Sequence, residues 1–137
     1  MRLRLLLVRD NEVLHEIPLS VDDWPRDRLE SELDALERDF ERFSKFFDAL
    51  SNRNRLVMMK RLFEDDDLTL GFADFIRDLG LNPKIVWEGT RKLHRGGLLE
   101  KSQNGKYRCP EISQAEFLMV SLALRHLLRV LEEFREE

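Results

Sequence analysis

The chain holds one cysteine, Cys109, in 137 residues. A lone cysteine excludes an intramolecular disulfide and any zinc cage built from several thiolates. The six glycines and four prolines form no low-complexity tract, and none of the glycines builds a phosphate-cradling loop. Long apolar runs are missing too. The stretch Leu5 to Val8 near the start is too short for the core of a signal peptide, no small-residue cleavage site follows it, and nothing approaches a membrane-spanning length. A cytoplasmic protein without a membrane partner is therefore expected. Lysine is scarce: six against 17 arginines, with glutamine only at 103 and 114, a bias shared with heat-adapted or GC-rich sources. His15, His94 and His126 have no ligand spacing in common, so no metal or cofactor is expected.

What is there is charge and leucine. Charged residues make up 36% of the chain and hydrophobic ones 42%, a globular mix. The net charge is -4, which on average argues against nucleic acid. The length suits one domain, two at most.

Residues 2–19 read as a β-hairpin: Leu3, Leu5 and Leu7 alternate with Arg2 and Arg4, Arg9-Asp10-Asn11-Glu12 makes the turn, and Val13, His15 and Ile17 alternate on the return. Pro25 then opens a helix expected to run to Leu50, roughly 40 Å at about 1.5 Å per residue. Its apolar seam, Leu29, Leu33, Leu36, Phe40, Phe43, Phe47 and Leu50, keeps a/d heptad spacing. Ser51-Asn52 breaks it. The next helix, Arg53 to Glu64, is expected to bury Leu56, Met59, Leu62 and Phe63. After the acidic loop Glu64–Asp67 come a short strand within Leu68–Phe72, a helix Ala73–Leu79 stopped by Gly80, and a helix opened by Asn82 as cap and Pro83 at its first position that ends at Gly96-Gly97. Leu98–Ser102 and Lys106–Cys109 read as strands joined at Asn104-Gly105. Ser113-Gln114-Ala115-Glu116 has the form of a capping box for a final helix, with a second heptad seam: Phe117, Val120, Leu124, Leu127, Leu131 and Phe134.

Two helices joined by a short glycine-bearing turn are a helix-turn-helix signature, and a hairpin directly after the second makes it winged. The segment Asp48-Ala49-Leu50-Ser51-Asn52-Arg53-Asn54-Arg55-Leu56 resembles the opening of the winged-helix domain in ArsR-type regulators. Phe75-Ile76-Arg77-Asp78-Leu79-Gly80-Leu81-Asn82-Pro83-Lys84 resembles the helix-turn-helix of ArsR-like and HxlR-like regulators, and Arg91-Lys92-Leu93-His94-Arg95-Gly96-Gly97-Leu98-Leu99-Glu100-Lys101 the end of their recognition helix and the start of the wing. The resemblance covers about residues 48 to 109, and the match is to regulators of archaeal type. It implies a mainly α fold with small β elements, in which a winged helix-turn-helix domain (51–112) stands between a long dimerisation helix (25–50) and a C-terminal dimerisation helix (113–137); the hairpin (1–24) lies outside the family pattern. The resemblance implies a sequence-specific, non-enzymatic transcription regulator whose partners are double-stranded DNA and a second copy of itself.

In that reading Pro83–Arg95 enters the major groove and the hairpin contacts the backbone beside it. Val86, Thr90 and Leu93 share one face and should pack inward; Lys84, Trp87, Glu88 and Arg91 then point outward. The residues placed on DNA are Lys84, Trp87, Glu88, Arg91, Lys92 and Arg95 on the helix and Lys101, Lys106 and Arg108 on the hairpin. Arg91 and Lys84 suit phosphates or guanine edges, and Glu88 can accept from a cytosine amino group. Glu88 can equally pair with Lys84, Arg91 or Lys92 along a solvated helix, and Trp87 can pack under the wing or on a partner. Gly89 departs from the family, which usually carries a longer polar residue there.

The charge is unevenly spread. Residues 1–50 net -5, residues 51–110 net +4 and residues 111–137 net -3; within 84–108 seven basic residues face two acidic ones. The positive excess coincides with the proposed recognition helix and wing. The dimerisation residues are expected to be Leu29, Leu33, Leu36, Phe40, Phe43 and Phe47 from the first seam and Phe117, Val120, Leu124, Leu127, Leu131 and Phe134 from the second. The two seams can also pack on each other within one monomer. The other reading of the domain is a winged-helix module that binds protein through Trp87 and the hairpin, without DNA. Operator, effector and sign of regulation are not encoded in these patterns.

Overall fold

A computed structural model describes residues 2–135. The fold is mainly helical with a separate β-hairpin and a second small sheet. Two compact units meet in sequence at Phe40 and Glu41.

In the first unit β1 (Arg4–Arg9) and β2 (Glu12–Pro18) form the antiparallel hairpin. Asp10 and Asn11 take positive φ, 54° and 80°; a two-residue turn of this hand matches the twist of the strands, and Asp and Asn tolerate it best after glycine. The expected strict alternation fails at one place. The register shifts between Leu7 and Val8, and neither face of the hairpin is buried: Leu5, Leu6, Leu7, Val8, Val13, Leu14 and Ile17 all remain exposed. Trp24 Nε1 donates to the Pro18 carbonyl at 2.7 Å and ties the following turn to the end of β2. Helix α1 runs Arg26–Arg38.

The single long helix expected from Pro25 to Leu50 is two helices. Asp39, at φ -94° and ψ 12°, lies between α1 and α2 (Phe40–Leu50). Neither proline nor glycine marks the break. Aspartate is a weak helix former because its carboxylate competes with the backbone, and heptad spacing does not register such a residue.

In the second unit α2 is followed by α3 (Arg53–Phe63), β3 (Thr69–Leu70), α4 (Phe72–Leu79), α5 (Pro83–Arg95), β4 (Glu100–Lys101), β5 (Tyr107–Arg108), α6 (Glu111–Leu118) and α7 (Leu124–Arg135). The three strands form one antiparallel sheet in the order β3-β5-β4. They are shorter than the sequence suggests: Leu98, Leu99 and Cys109 lie outside the strands and belong to the core. The core gathers Phe46 and Ala49 of α2, Met58, Met59 and Leu62 of α3, Phe75 of α4, Val86 and Leu93 of α5, and Phe117 of α6.

Three expectations are corrected here. On α3 the inward face is Arg55, Met58, Met59 and Leu62, while Leu56 is exposed. Arg55 is buried because it caps α2: Nε donates to the Ala49 carbonyl at 2.7 Å and Nη2 to that of Asp48 at 2.8 Å, filling acceptors that a helix end leaves open. The last helix starts at Glu111, after Pro110, and not at a capping box. Ser113 is buried, and its hydroxyl donates instead to the Gly97 carbonyl at 2.7 Å. Finally, a π-helical turn, Met119–Ala123, joins α6 to α7. Along this stretch Met119, Leu122 and Leu128 are exposed along with Leu124 and Phe134, whereas Leu127 and Leu131 are half-buried. No helix among the described residues is long and apolar enough to cross a membrane.

Candidate nucleic-acid interface

Helix α5 is built from both ends by local chemistry. Before it, Gly80 ends α4 at φ +64°, in the left-handed region glycine enters without strain, and its N–H donates to the Ile76 carbonyl. Asn82 caps α5 by accepting from Ile85 N at 2.9 Å, and Pro83 occupies the first turn.

Its faces divide as the periodicity requires. Val86, Gly89, Thr90 and Leu93 are buried; Lys84, Trp87, Glu88 and Arg91 are exposed. Thr90 spends its hydroxyl on the Val86 carbonyl at 2.9 Å, so no polar group is stranded in the core. Gly89, the odd residue in the sequence, has a packing reason. A Cβ there would stand 2.6 Å from Met58 Sδ, so the glycine admits α3 against α5. Gly96 plays the same part at the other end, where a Cβ would lie 2.7 Å from that of Ala49.

The exposed face holds few internal ion pairs. Among the described residues Glu88 pairs with none of Lys84, Arg91 and Lys92. The Arg91 guanidinium stands 5.0 Å from the centre of the Trp87 ring. Trp87 itself is 56% exposed, so it does not pack under the hairpin. Lys92 is the exception on this helix: it turns back to α2 and meets Asp48 at 3.4 Å, away from the free face. Arg95 is exposed at the last turn.

The hairpin β4–β5 carries the remaining cations. Ser102 N donates to the Lys106 carbonyl and Gly105 N to that of Ser102; the turn closes with Gly105 at φ +79°. Lys101 lies opposite Tyr107 across the strands, its Nζ 6.0 Å from the ring centre. Lys106 is exposed near the N-terminus of α4. Arg108 pairs with Glu100, 3.3 Å away on the neighbouring strand, and is less free than its sequence position suggested. His94 Nδ1 lies 2.9 Å from the Leu99 carbonyl oxygen; a carbonyl only accepts, so this nitrogen carries the proton and the ring is held toward the hairpin.

Cys109 is buried at the end of β5, and burial with the nearby Glu116 carboxylate pushes its thiol up to about 11. It is a small core side chain rather than a nucleophile. No group of three or more His, Cys, Asp or Glu side chains is placed to hold a metal ion among the described residues.

The residues expected at a dimer seam fall into two groups. Phe117 is taken up by the core, its ring 5.0 Å from that of Phe63, and Val120 packs half-buried against the same core; neither is free for a partner. Leu33, Leu36, Phe40, Phe43 and Phe47 are exposed, and Leu29 is half-buried. On α2 the inward residues are Phe46 and Ala49, which leaves Phe43 and Phe47 outside with their rings stacked at 6.5 Å. Comparison with protein-family models finds no match for the chain, and none of the curated proteins matches it.

Proposed function

We propose that the second unit is a winged helix-turn-helix of the ArsR-like kind, that it binds double-stranded DNA, and that the protein is a homodimeric, cytoplasmic transcription regulator. One observation carries this reading: α5 presents Lys84, Trp87, Glu88 and Arg91 outward, with no salt bridge joining Lys84, Glu88 and Arg91 among the described residues, and the hairpin that follows adds Lys101 and Lys106. A glycine turn before the helix and a hairpin after it are the parts such a domain needs. With α5 in the major groove, Lys84 and Arg91 reach guanine edges or phosphates, and Glu88 accepts from a cytosine amino group. Lys101 and Lys106 neutralise phosphates at the flank, contributing affinity and register rather than sequence. Lys92 and Arg108, held by Asp48 and Glu100, contribute less.

The test is anisotropy of a labelled mixed-sequence duplex across a salt series. Affinity should fall steeply with salt, and Arg91→Ala with Lys106→Ala should flatten the logarithmic salt slope by about two, roughly one per lost phosphate contact, with the circular dichroism unchanged. An unaltered slope would reject this face. The exposure of Trp87 favours one other reading, a protein-binding module; absence of duplex binding even at low salt would select it.

A further inference from the structure

Between α5 and the β4–β5 hairpin lies a hollow of about 200 Å³ lined by Trp87, Thr90, Arg91, His94, Lys101 and Tyr107. Its composition differs from that of an ordinary phosphate-binding surface. Two aromatic rings face it, one from the helix and one from the sheet. A cation stands by each ring: Arg91 by Trp87 at 5.0 Å and Lys101 by Tyr107 at 6.0 Å. No carboxylate lines it; Glu100, beside Lys101 in the strand, pairs with Arg108. Contacts with backbone phosphate need the cations alone. A tryptophan left 56% exposed beside a second ring is surface of the kind on which a nucleobase stacks.

We propose that this hollow binds a single unpaired nucleotide, its base stacked on Trp87 and its phosphate held by Arg91 and Lys101. The preferred ligand is then a duplex with a nucleotide out of the stack, not a perfect duplex. This rests on the nucleic-acid reading of the same face. An intact duplex offers the hollow only phosphates, whereas an extruded base also supplies a π-face, and each stacked base adds about 5- to 150-fold in affinity. His94, hydrogen-bonded to the Leu99 carbonyl, lines one side of the hollow.

Two duplexes of one sequence, one perfectly paired and one carrying a single unpaired adenine, would be titrated against the full chain while tryptophan fluorescence is followed. Free deoxyadenosine monophosphate makes a third arm. The unpaired duplex should bind at least fivefold more tightly and quench Trp87. Trp87→Ala should abolish the preference. Trp87→Phe should keep part of it and lose the quenching, since the tryptophan that remains, Trp24, does not line the hollow. Quenching by the free nucleotide with no gain from the unpaired duplex would keep the nucleotide site and reassign its source to a small molecule. Equal affinity for both duplexes with no quenching by the free nucleotide would overturn the proposal, while leaving salt-dependent binding of the perfect duplex, and so the regulator reading, intact. Failure of all duplex binding would remove the regulator reading itself, and the free-nucleotide arm would still decide whether the hollow takes a base.

Discussion

At the scale of single residues, close approach of helices explains two glycines, Gly89 inside α5 and Gly96 just past its end. Glycine inside a helix sacrifices about 1 kcal/mol relative to alanine. At Gly96 the neighbours of an added Cβ are the Ala49 Cβ at 2.7 Å and the Lys45 carbonyl oxygen at 3.0 Å; a backbone atom cannot step aside. Gly96→Ala should therefore destabilise the protein by about 1–3 kcal/mol, the usual cost of overpacking, seen as a lower urea midpoint with an unchanged slope. At Gly89 the obstacle is the far end of Met58, which can rotate, and alanine recovers helix propensity. Gly89→Ala should cost less than Gly96→Ala, and the reverse order would refute this account of the two contacts. The sequence marked Gly89 only as a departure, because its reason is a side chain 31 positions away.

At the scale of elements, α4 shows how charge holds a helix of eight residues that is too short to stand alone. Asp74 accepts from Gly71 N at 2.7 Å and from Arg77 at 2.8 Å; Arg77 also reaches Asp78 at 3.0 Å, and Asp78 meets Arg61 of α3. The Gly71 N–H, then Arg77, hold the Asp74 carboxyl below the usual carboxylate range; Arg77 does so for Asp78. The sign follows. With folded values lowered, the contribution is complete at neutral pH. It begins to fade as the pH drops through the ordinary carboxylate range, where the unfolded chain takes up protons first, and is gone below the lowered folded values. Asp74→Ala should thus lower the urea midpoint at pH 7 and differ progressively less from wild type as the pH falls through and below the ordinary carboxylate range, about pH 4. A pH-independent difference would exclude this ionic origin. The caps of α5 were legible in Asn82 and Pro83 because capping is local. The start of the last helix was misread because Ser113 had a partner, Gly97, that only the fold brings near.

At the scale of the whole molecule, apolar surface is distributed in a way a lone chain does not explain. None of residues 2–40 is buried, and a unit of that size without a core does not stabilise itself. On the second unit Phe43 and Phe47 stand exposed with Met119 and Leu122. Self-association is the expected remedy. Light scattering at micromolar concentration should give twice the chain mass, and Phe43→Glu with Phe47→Glu should halve it; a wild-type monomer would dismiss the dimer. In such a dimer the two α5 helices should lie about 34 Å apart, one turn of DNA.

Local and periodic rules were enough for the existence of nearly every helix, for the hairpin turn at Asp10-Asn11, and for the division of α5 into Val86, Thr90 and Leu93 inside and Lys84, Trp87, Glu88 and Arg91 outside. Those features depend on neighbours within four residues along the chain, and sequence spacing records such neighbours directly. Long-range partners were decided only in three dimensions: Lys92 drawn to Asp48, Arg108 to Glu100, Arg55 buried as the cap of α2, Phe117 absorbed into the core, and Trp87, Tyr107 and two cations brought around one hollow. Their energies depend on distances between elements far apart in the chain, and no periodicity along a single helix encodes those distances.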